Sequence, residues 1–270
     1  MINKKIGIIG CGNMGEAILS RLINVMDRSV SLMAGELDAK RRQHIAAKYK
    51  IIVETENIRI AKYCDIIILA VKPKDYKSVL NEIRCSELED KLLISMAAGV
   101  ATKTVEAIVG KDIPVIRVMP NMAAVIGESM TSISAGSSAD SEDLDAAKEI
   151  FSTIGDVIEV DEKLIDSITA ISGSGPAYFF YLIEALVEAA MDLGISEDVA
   201  KEIVLKTALG SSRLLEALEE DPITLRGRVT SKGGTTEAAF KVLEKKKFKN
   251  IVKSACRSAY KRSKEISRGK

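Results

Sequence analysis

Apolar and polar positions follow two different rhythms along the chain. Up to Asp161, short and almost wholly apolar runs alternate with longer stretches in which apolar residues recur every three or four positions. The runs read as strands buried on both faces, as in a parallel sheet, and the stretches between them as amphipathic helices. Strands are expected at Ile6 to Ile9, Val30 to Ala34, Ile51 to Val53, Ile66 to Val71, Leu92 to Ser95 and Val115 to Val118. Helices are expected from Ala17 through Ile23 and near 38–48, 75–84 and 101–109. Thr131 to Ala135, a helix near 141–153 and Val157 to Val160 extend the sheet. This βαβ order predicts a doubly wound parallel sheet with right-handed crossovers, binding its ligand outside the carboxyl ends of the strands.

After Asp161 every segment reads as helix, which sets the expected domains at 1–161 and 162–270. The stretch Ala177 to Leu193 is apolar almost all round, with Pro176 near its first turn and Gly194 as its stop. A helix without a polar face is buried on several sides. The second half holds too few helices to cover it, so a second subunit is expected to share it. Ser196 to Leu218, Pro222 to Arg226 and the C-terminal helices complete the bundle.

Composition narrows the chemistry. With 47% hydrophobic and 29% charged residues, the 270-residue chain has the make-up of an ordinary globular protein. Cys11, Cys64, Cys85 and Cys256 stand singly and His44 is the one histidine, which excludes zinc-finger spacing, histidine metal sites and Ser-His or Cys-His catalysis. The unpaired cysteines suggest a reducing cytoplasm. Met1 to Lys5 begins like a signal peptide but meets a glycine loop after one short apolar run, and no apolar run approaches the ~20 residues of a membrane helix. Net charge is +1, yet residues 241–270 hold 12 Lys or Arg against two acids. Those cations alternate with Val242, Leu243, Phe248, Ile251 and Val252 at helical spacing, so they form the solvated face of a packed helix rather than a nucleic-acid arm.

Two glycine-bearing motifs carry the candidate chemistry. Gly10-Cys11-Gly12-Asn13-Met14-Gly15 follows the first strand and opens a helix, the setting in which G-x-G-x-x-G binds a dinucleotide pyrophosphate. Gly35-Glu36 ends the second strand where ribose hydroxyls are met, and Lys72 stands at the carboxyl edge of the fourth. The second motif is Thr230-Ser231-Lys232-Gly233-Gly234-Thr235-Thr236-Glu237, running straight into a helix. A glycine pair beside unpaired first-turn amides makes a cradle for a carboxylate or phosphate. The bland alternative is that Thr235 or Thr236 caps its own helix.

These blocks, with Leu69-Ala70-Val71-Lys72-Pro73, Ala97-Ala98-Gly99-Val100, Arg117-Val118-Met119-Pro120-Asn121 and Ser172-Gly173-Ser174-Gly175-Pro176-Ala177-Tyr178, stand in one order over almost the whole chain. In that order they resemble the pyrroline-5-carboxylate reductase family. The resemblance implies an α/β Rossmann-like doubly wound parallel sheet followed by an all-α helical dimerisation domain, in homodimers and often pentamers of dimers (decamers). It implies reduction of 1-pyrroline-5-carboxylate to L-proline by NADPH or NADH in proline biosynthesis, with no metal. Carried over by position, cofactor contacts fall on Gly10, Cys11, Gly12, Asn13 and Met14, on Gly35, Glu36 and Asn57, and on Ala70, Val71, Lys72, Pro73, Met96, Ala97 and Ala98. Gly15 lets the helix sit close on the strand. Substrate contacts fall on Glu162, Ser231, Gly233, Gly234, Thr235 and Thr236.

Three departures from the family pattern stand out: Lys232 stands for a usual proline, Met122-Ala123 for a common Thr-Pro, and Glu36 for a basic or neutral polar residue. The last favours NADH at least as much as NADPH, with Lys40, Arg41 and Arg42 close enough to offset it. A cyclic imine protonated by solvent is already electrophilic, so no catalytic histidine is required. The amides of Gly234, Thr235 and Thr236 and the Ser231 hydroxyl would take the carboxylate, the Thr236 hydroxyl the ring nitrogen, and Glu162 would favour the iminium charge. Two rivals remain: a 3-hydroxyacid dehydrogenase, which needs a lysine on the first long helix of the second domain, and a non-catalytic nicotinamide-sensing assembly protein. The expected partners of the chain are a small-molecule substrate and copies of itself, with no nucleic acid and no membrane.

Overall fold

In the computed structural model, which describes residues 4–25, 31–110 and 112–267, an eight-stranded sheet occupies the N-terminal part. Its strands are β1 (Ile6–Ile9), β2 (Leu32–Gly35), β3 (Ile52–Glu54), β4 (Ile66–Leu69), β5 (Leu92–Ser95), β6 (Val115–Met119), β7 (Ser129–Ala135) and β8 (Gly155–Glu159), in the order β3-β2-β1-β4-β5-β6-β7-β8. The helices between them are α1 (Asn13–Val25), α2 (Ala39–Tyr49), α3 (Asn57–Tyr63), α4 (Pro73–Ile83), α5 (Thr102–Val109) and α6 (Ser141–Ser152). Val30 of the expected second strand and Met1 to Asn3 lie outside the described residues.

Strand alternation assigns the core. On β4, Ile66 and Ile68 join Ile8, Ile18, Leu22 and Phe151 on one face, while Ile67 and Leu69 join Ile60, Tyr76, Leu80 and Val105 on the other. Successive side chains of a strand point to opposite faces, so a strand covered by helices on both sides has no polar position to spare.

Two expectations change. The sheet is not parallel throughout, because β6 and β7 pair antiparallel, Arg117 opposite Ser134. Only residues 120–128 join them, with a 3₁₀ turn at Met122–Ile126 closed by Gly127. A parallel partner needs a crossover of a dozen residues or more, so the chain reverses instead. The β7-α6-β8 step restores a parallel pair. Helix α3 was not anticipated, since seven residues give the helical period barely two turns.

Past β8 the chain is helical. A short 3₁₀ turn at Glu162–Leu164 leads into α7 (Ile165–Ile168) and a π turn at Thr169–Gly173, then α8 (Gly175–Asp192), α9 (Glu197–Leu218), α10 (Pro222–Arg228), α11 (Thr235–Lys245) and α12 (Phe248–Ser267). Contacts divide the chain into two compact units, residues 1–174 with 259–270, and residues 175–258. Segment 162–174 belongs with the sheet because Ile165 and Ala170 are buried there and Arg117 of β6 reaches Asp166 at 3.0 Å.

The run Glu162–Asp192 is long and apolar enough to cross a membrane by length and composition, where none was expected. Pro176 does stand in the first turn of α8, as expected, and the preceding turns lengthen the apolar run. Within the chain only Gly175 of α8 is buried, and Phe179, Phe180 and Tyr181 are 65%, 59% and 72% exposed. The covering such a helix requires is therefore not supplied by this subunit.

Candidate functional site

The first site lies in the sheet unit, at the carboxyl ends of β1, β2 and β4. A cavity of about 390 Å³ is lined there by Gly10, Gly12, Gly35, Glu36, Asn57, Ala70, Val71 and Lys72, all expected from the sequence. A larger hollow of about 520 Å³ opens beside Asn13, Glu16 and Tyr49, so the motif rather than size identifies the site. Gly10 has φ +97°, and a Cβ on it would sit 2.9 Å from the backbone of Ala70. By contrast a Cβ on Gly12 would meet nothing within 4 Å, leaving backbone open toward the cavity where a pyrophosphate approaches the N-terminus of α1. The cradle therefore fits a dinucleotide.

The other expected residues do not line this cavity. Gly15 packs against the Gly10 carbonyl, and Met14 and Met96 lie against the core. Ala97 is buried, Ala98 is half-buried, and Asn13 faces the neighbouring hollow. Pro73 is the first residue of α4. Cys11 is fully buried, and burial pushes its thiol up to about 12. Its backbone is what counts here: the Cys11 N–H donates to Glu36 Oε2 at 3.2 Å, and Arg41 Nε donates to its carbonyl at 2.7 Å.

Glu36 does not point to bulk water. Its Oε1 also accepts the Asp38 N–H at 2.9 Å, so the carboxylate is fixed on the cavity rim between the glycine loop and α2. Asn57 is held by Glu82, which accepts its Nδ2 at 2.8 Å and its backbone N–H at 2.7 Å. Leu37, Asp38, Lys74, Asp75 and Val79 also line the cavity and were not anticipated. Asp38 carried a readable signal, an acid just before a helical pattern: its Oδ1 accepts the Arg41 N–H at 2.8 Å and caps α2.

Glu16, on the first turn of α1, gathers several donors. Lys48 Nζ lies at 2.9 Å and the Tyr49 hydroxyl at 2.8 Å, the Arg41 guanidinium is hydrogen-bonded to it, and His44 Nε2 is 3.6 Å away. Burial alone would raise its pKa. The hydrogen bonds from Lys48 and Tyr49 and the charge of Arg41 outweigh that and bring it from 4.5 to about 2.

Glu162 is engaged within the same unit. Its Oε1 accepts the Thr102 N–H at 2.7 Å and its Oε2 the Thr102 hydroxyl at 2.9 Å, with Arg117 Nη1 at 3.4 Å. Thr102 opens α5, whose own preceding residue gives no side-chain cap. Glu162 therefore caps a helix 60 residues away and shares the buried Arg117 with Asp166, which also accepts the Ser263 hydroxyl at 3.0 Å. No oxygen of Glu162 is left without a donor.

The second site belongs to the helical unit. Gly233 has φ +78°, the left-handed region that favours glycine, and Gly234 is the N-cap of α11 without any side-chain cap. Thr235 and Thr236 are the first two residues inside the helix, so neither caps it. The expected donor set needs one correction. The Gly234 N–H is taken by the Ser231 carbonyl at 3.0 Å, and the Gly233 N–H by Glu237 Oε2 at 3.0 Å. That leaves the first-turn amides of Thr235 and Thr236 without a side-chain cap, and the Ser231 side chain lies against Gly234 at the same turn. Lys232 is exposed beside them.

Comparison with known proteins adds an independent line. Residues 162–266 match the family described as pyrroline-5-carboxylate reductase dimerisation, and residues 5–99 match NADP oxidoreductase coenzyme F420-dependent. A pyrroline-5-carboxylate reductase of Synechocystis sp. is 38% identical over 98% of this chain and 98% of that protein. One of Methanosarcina acetivorans is 37% identical over 99% and 100%. The crystal structure of Plasmodium falciparum pyrroline carboxylate reductase with NADP bound superposes with a TM-score of 0.90 at 33% identity, covering 99% of each chain.

Proposed function

The chain belongs to the pyrroline-5-carboxylate reductase family, and from that premise we propose how its own residues carry the reaction. It is an NAD(P)H-dependent oxidoreductase that reduces the C=N bond of 1-pyrroline-5-carboxylate to give L-proline, and it works as a homo-oligomer. The observation that carries the residue-level reading is the open end of α11, whose N-cap Gly234 offers no side chain to the first-turn amides of Thr235 and Thr236.

Thr235 and Thr236 N–H donate to the substrate carboxylate, assisted by the helix dipole and the Ser231 hydroxyl. The Thr236 hydroxyl hydrogen-bonds the ring nitrogen. Gly233 and Gly234 shape the turn that presents these donors. In the sheet unit, Gly10 makes the turn, its own N–H donated to the Gly35 carbonyl, the backbone at Gly12 faces the dinucleotide phosphates, Lys72 and Lys74 supply exposed positive charge nearby, and Glu36 meets the ribose hydroxyls. Reduced nicotinamide, when bound, supplies the hydride. The protein's task is to hold the protonated imine with its carbon in attack position and to keep water out, which needs no titrating acid of its own. Glu162 contributes by positioning α5 and Arg117.

The dehydrogenase alternative fails on α8, which carries no lysine. Finer expectations follow the same reading: a homodimer built on the exposed apolar face of α8, assembling further as a pentamer of dimers, in the cytoplasm, with NADH used at least as well as NADPH. The deciding assay mixes purified protein, 1-pyrroline-5-carboxylate and either cofactor, following nicotinamide absorbance and proline together. Absence of turnover with both cofactors refutes the assignment.

A further inference from the structure

The first turn of α2 places three cations, Lys40, Arg41 and Arg42, directly after the cavity rim formed by Glu36, Leu37 and Asp38. A phosphate on the 2′-hydroxyl of the cofactor's ribose would need a cation at that rim, since Glu36 meets it as a like charge. Two of the three are committed elsewhere. Arg42 Nη1 donates to the carbonyls of Glu36 and Leu37, both at 3.1 Å. Arg41 turns to the other side of the glycine loop, where Nε donates to the Cys11 carbonyl at 2.7 Å and its guanidinium pairs with Glu16. Glu16 is only 16% exposed and is itself anchored by Lys48 and Tyr49, so the carboxylate that holds Arg41 is fixed in place.

We propose that Glu16 sets cofactor choice from outside the cofactor cavity, by holding the Arg41 guanidinium against α1 and the Cys11 carbonyl and so denying it to a 2′-phosphate. Glu16 is a positioning residue in this scheme, acting through Arg41. The inference rests on the reductase reading for its kinetic consequence but not for its binding consequence. Removing the Glu16 charge, as in E16Q, leaves Arg41 with neutral acceptors only, the amide oxygen and the Cys11 carbonyl. A phosphate then competes for the guanidinium through charge-assisted hydrogen bonds, which are roughly twice as strong as neutral ones.

The test compares wild type, E16Q, R41Q and the double variant E16Q/R41Q. Calorimetry measures binding of 2′,5′-ADP against 5′-AMP, and kinetics measures kcat/KM with NADPH against NADH. E16Q is expected to raise both ratios about tenfold toward the phosphorylated ligand, one power of ten in an equilibrium constant. R41Q alone leaves the ratios where they are in wild type, and the double variant returns to that value. A merely structural role for Glu16 would lower both cofactors together and leave the ratios unmoved, which overturns the proposal. So does R41Q lowering NADPH use in the wild-type background, because Arg41 would then already be reading the phosphate. If no protein turns over imine, the reductase reading fails while the calorimetric ratios still decide the role of Glu16.

Discussion

Replacing Glu162 by glutamine separates a residue that holds the fold from one that touches the imine. The amide retains an oxygen for the Thr102 N–H, and the Thr102 hydroxyl can rotate to accept from the new NH₂ group. Shape is kept while charge is lost. Two hydrogen bonds, now 2.7 and 2.9 Å, lose charge assistance, at about 1 kcal/mol each by the difference between charged and neutral pairs. Helix α5 also loses an anion at its N-terminus, worth about 0.3–1 kcal/mol. The 3.4 Å contact to Arg117 adds little, since Asp166 stays at 3.0 Å from the same guanidinium. The total is about 2–3 kcal/mol, or a melting temperature lower by roughly 4–10 °C. Glu162→Ala, which strips the buried guanidinium of one partner outright, costs more, about 3–5 kcal/mol. Calorimetric melting at fixed protomer concentration is the assay, because association raises apparent stability. KM for the imine should hold in the glutamine variant. An unchanged melting temperature together with a fall in kcat would show that the carboxylate acts on the substrate and that its bonds to Thr102 are incidental.

Further outcomes follow from the same geometry. Glu36→Ser removes the rim charge that would meet a 2′-phosphate at ~4 Å, an interaction of about 1–4 kcal/mol, so the ratio of kcat/KM for NADPH to that for NADH should rise roughly tenfold; an unchanged ratio in a wild type that already prefers NADPH contradicts it. Thr236→Ala deletes one substrate hydrogen bond, lowering kcat/KM for the imine by roughly 0.5–3 kcal/mol of binding with cofactor affinity and melting temperature unaltered; a lowered melting temperature with normal kinetics would return Thr236 to a purely structural role. Glu16, held at about 2 instead of 4.5, binds fewer protons folded than unfolded, so its contribution to stability is present above about 4.5 and lost as pH falls through about 2. Urea midpoints of wild type and E16Q should therefore differ near neutrality and converge toward pH 2, and a gap that persists at pH 2 would mean Glu16 stabilises by packing alone.

What could be read from the sequence was whatever a short stretch decides by itself. Ile66 to Leu69 had to be a doubly covered strand because it has no polar position, and Gly10 to Gly15 had to be a tight turn because strand and helix flank it without a gap. Ser231 to Thr236 was legible as a glycine turn opening a helix, although which amides stay open depended on the turn bond from Gly234 to Ser231. What could not be read were contacts made across long separations. Glu16 meets Lys48 and Tyr49 from 32 and 33 residues away, Asn57 meets Glu82 from 25, and Glu162 meets Thr102 from 60. No local spacing distinguishes such a carboxylate from a solvated one. The antiparallel turn into β7 was hidden for a related reason: strand pattern fixes which faces are buried, while direction depends on the length of the connection.

The protonation states available near the two motifs also bear on the direction of catalysis. His44 is exposed on α2, the Cys11 thiol is buried and pushed up to about 12, and both Glu162 oxygens already accept hydrogen bonds. On the proposed reading the groups that meet substrate at the head of α11 are backbone amides and hydroxyls, which hydrogen-bond well but neither give up nor take a proton near neutral pH, while Glu237 is engaged by the Gly233 N–H and Lys241. Such donors suit a substrate that arrives protonated and needs only to be oriented for attack. They serve the reverse reaction poorly, because a secondary ammonium must first lose a proton, which neither amides nor hydroxyls take readily. Solvent must do so, at a pH where the amine is almost wholly protonated. The arrangement of amides and hydroxyls at the head of α11 therefore favours imine reduction over proline oxidation kinetically, independently of the cofactor the chain prefers.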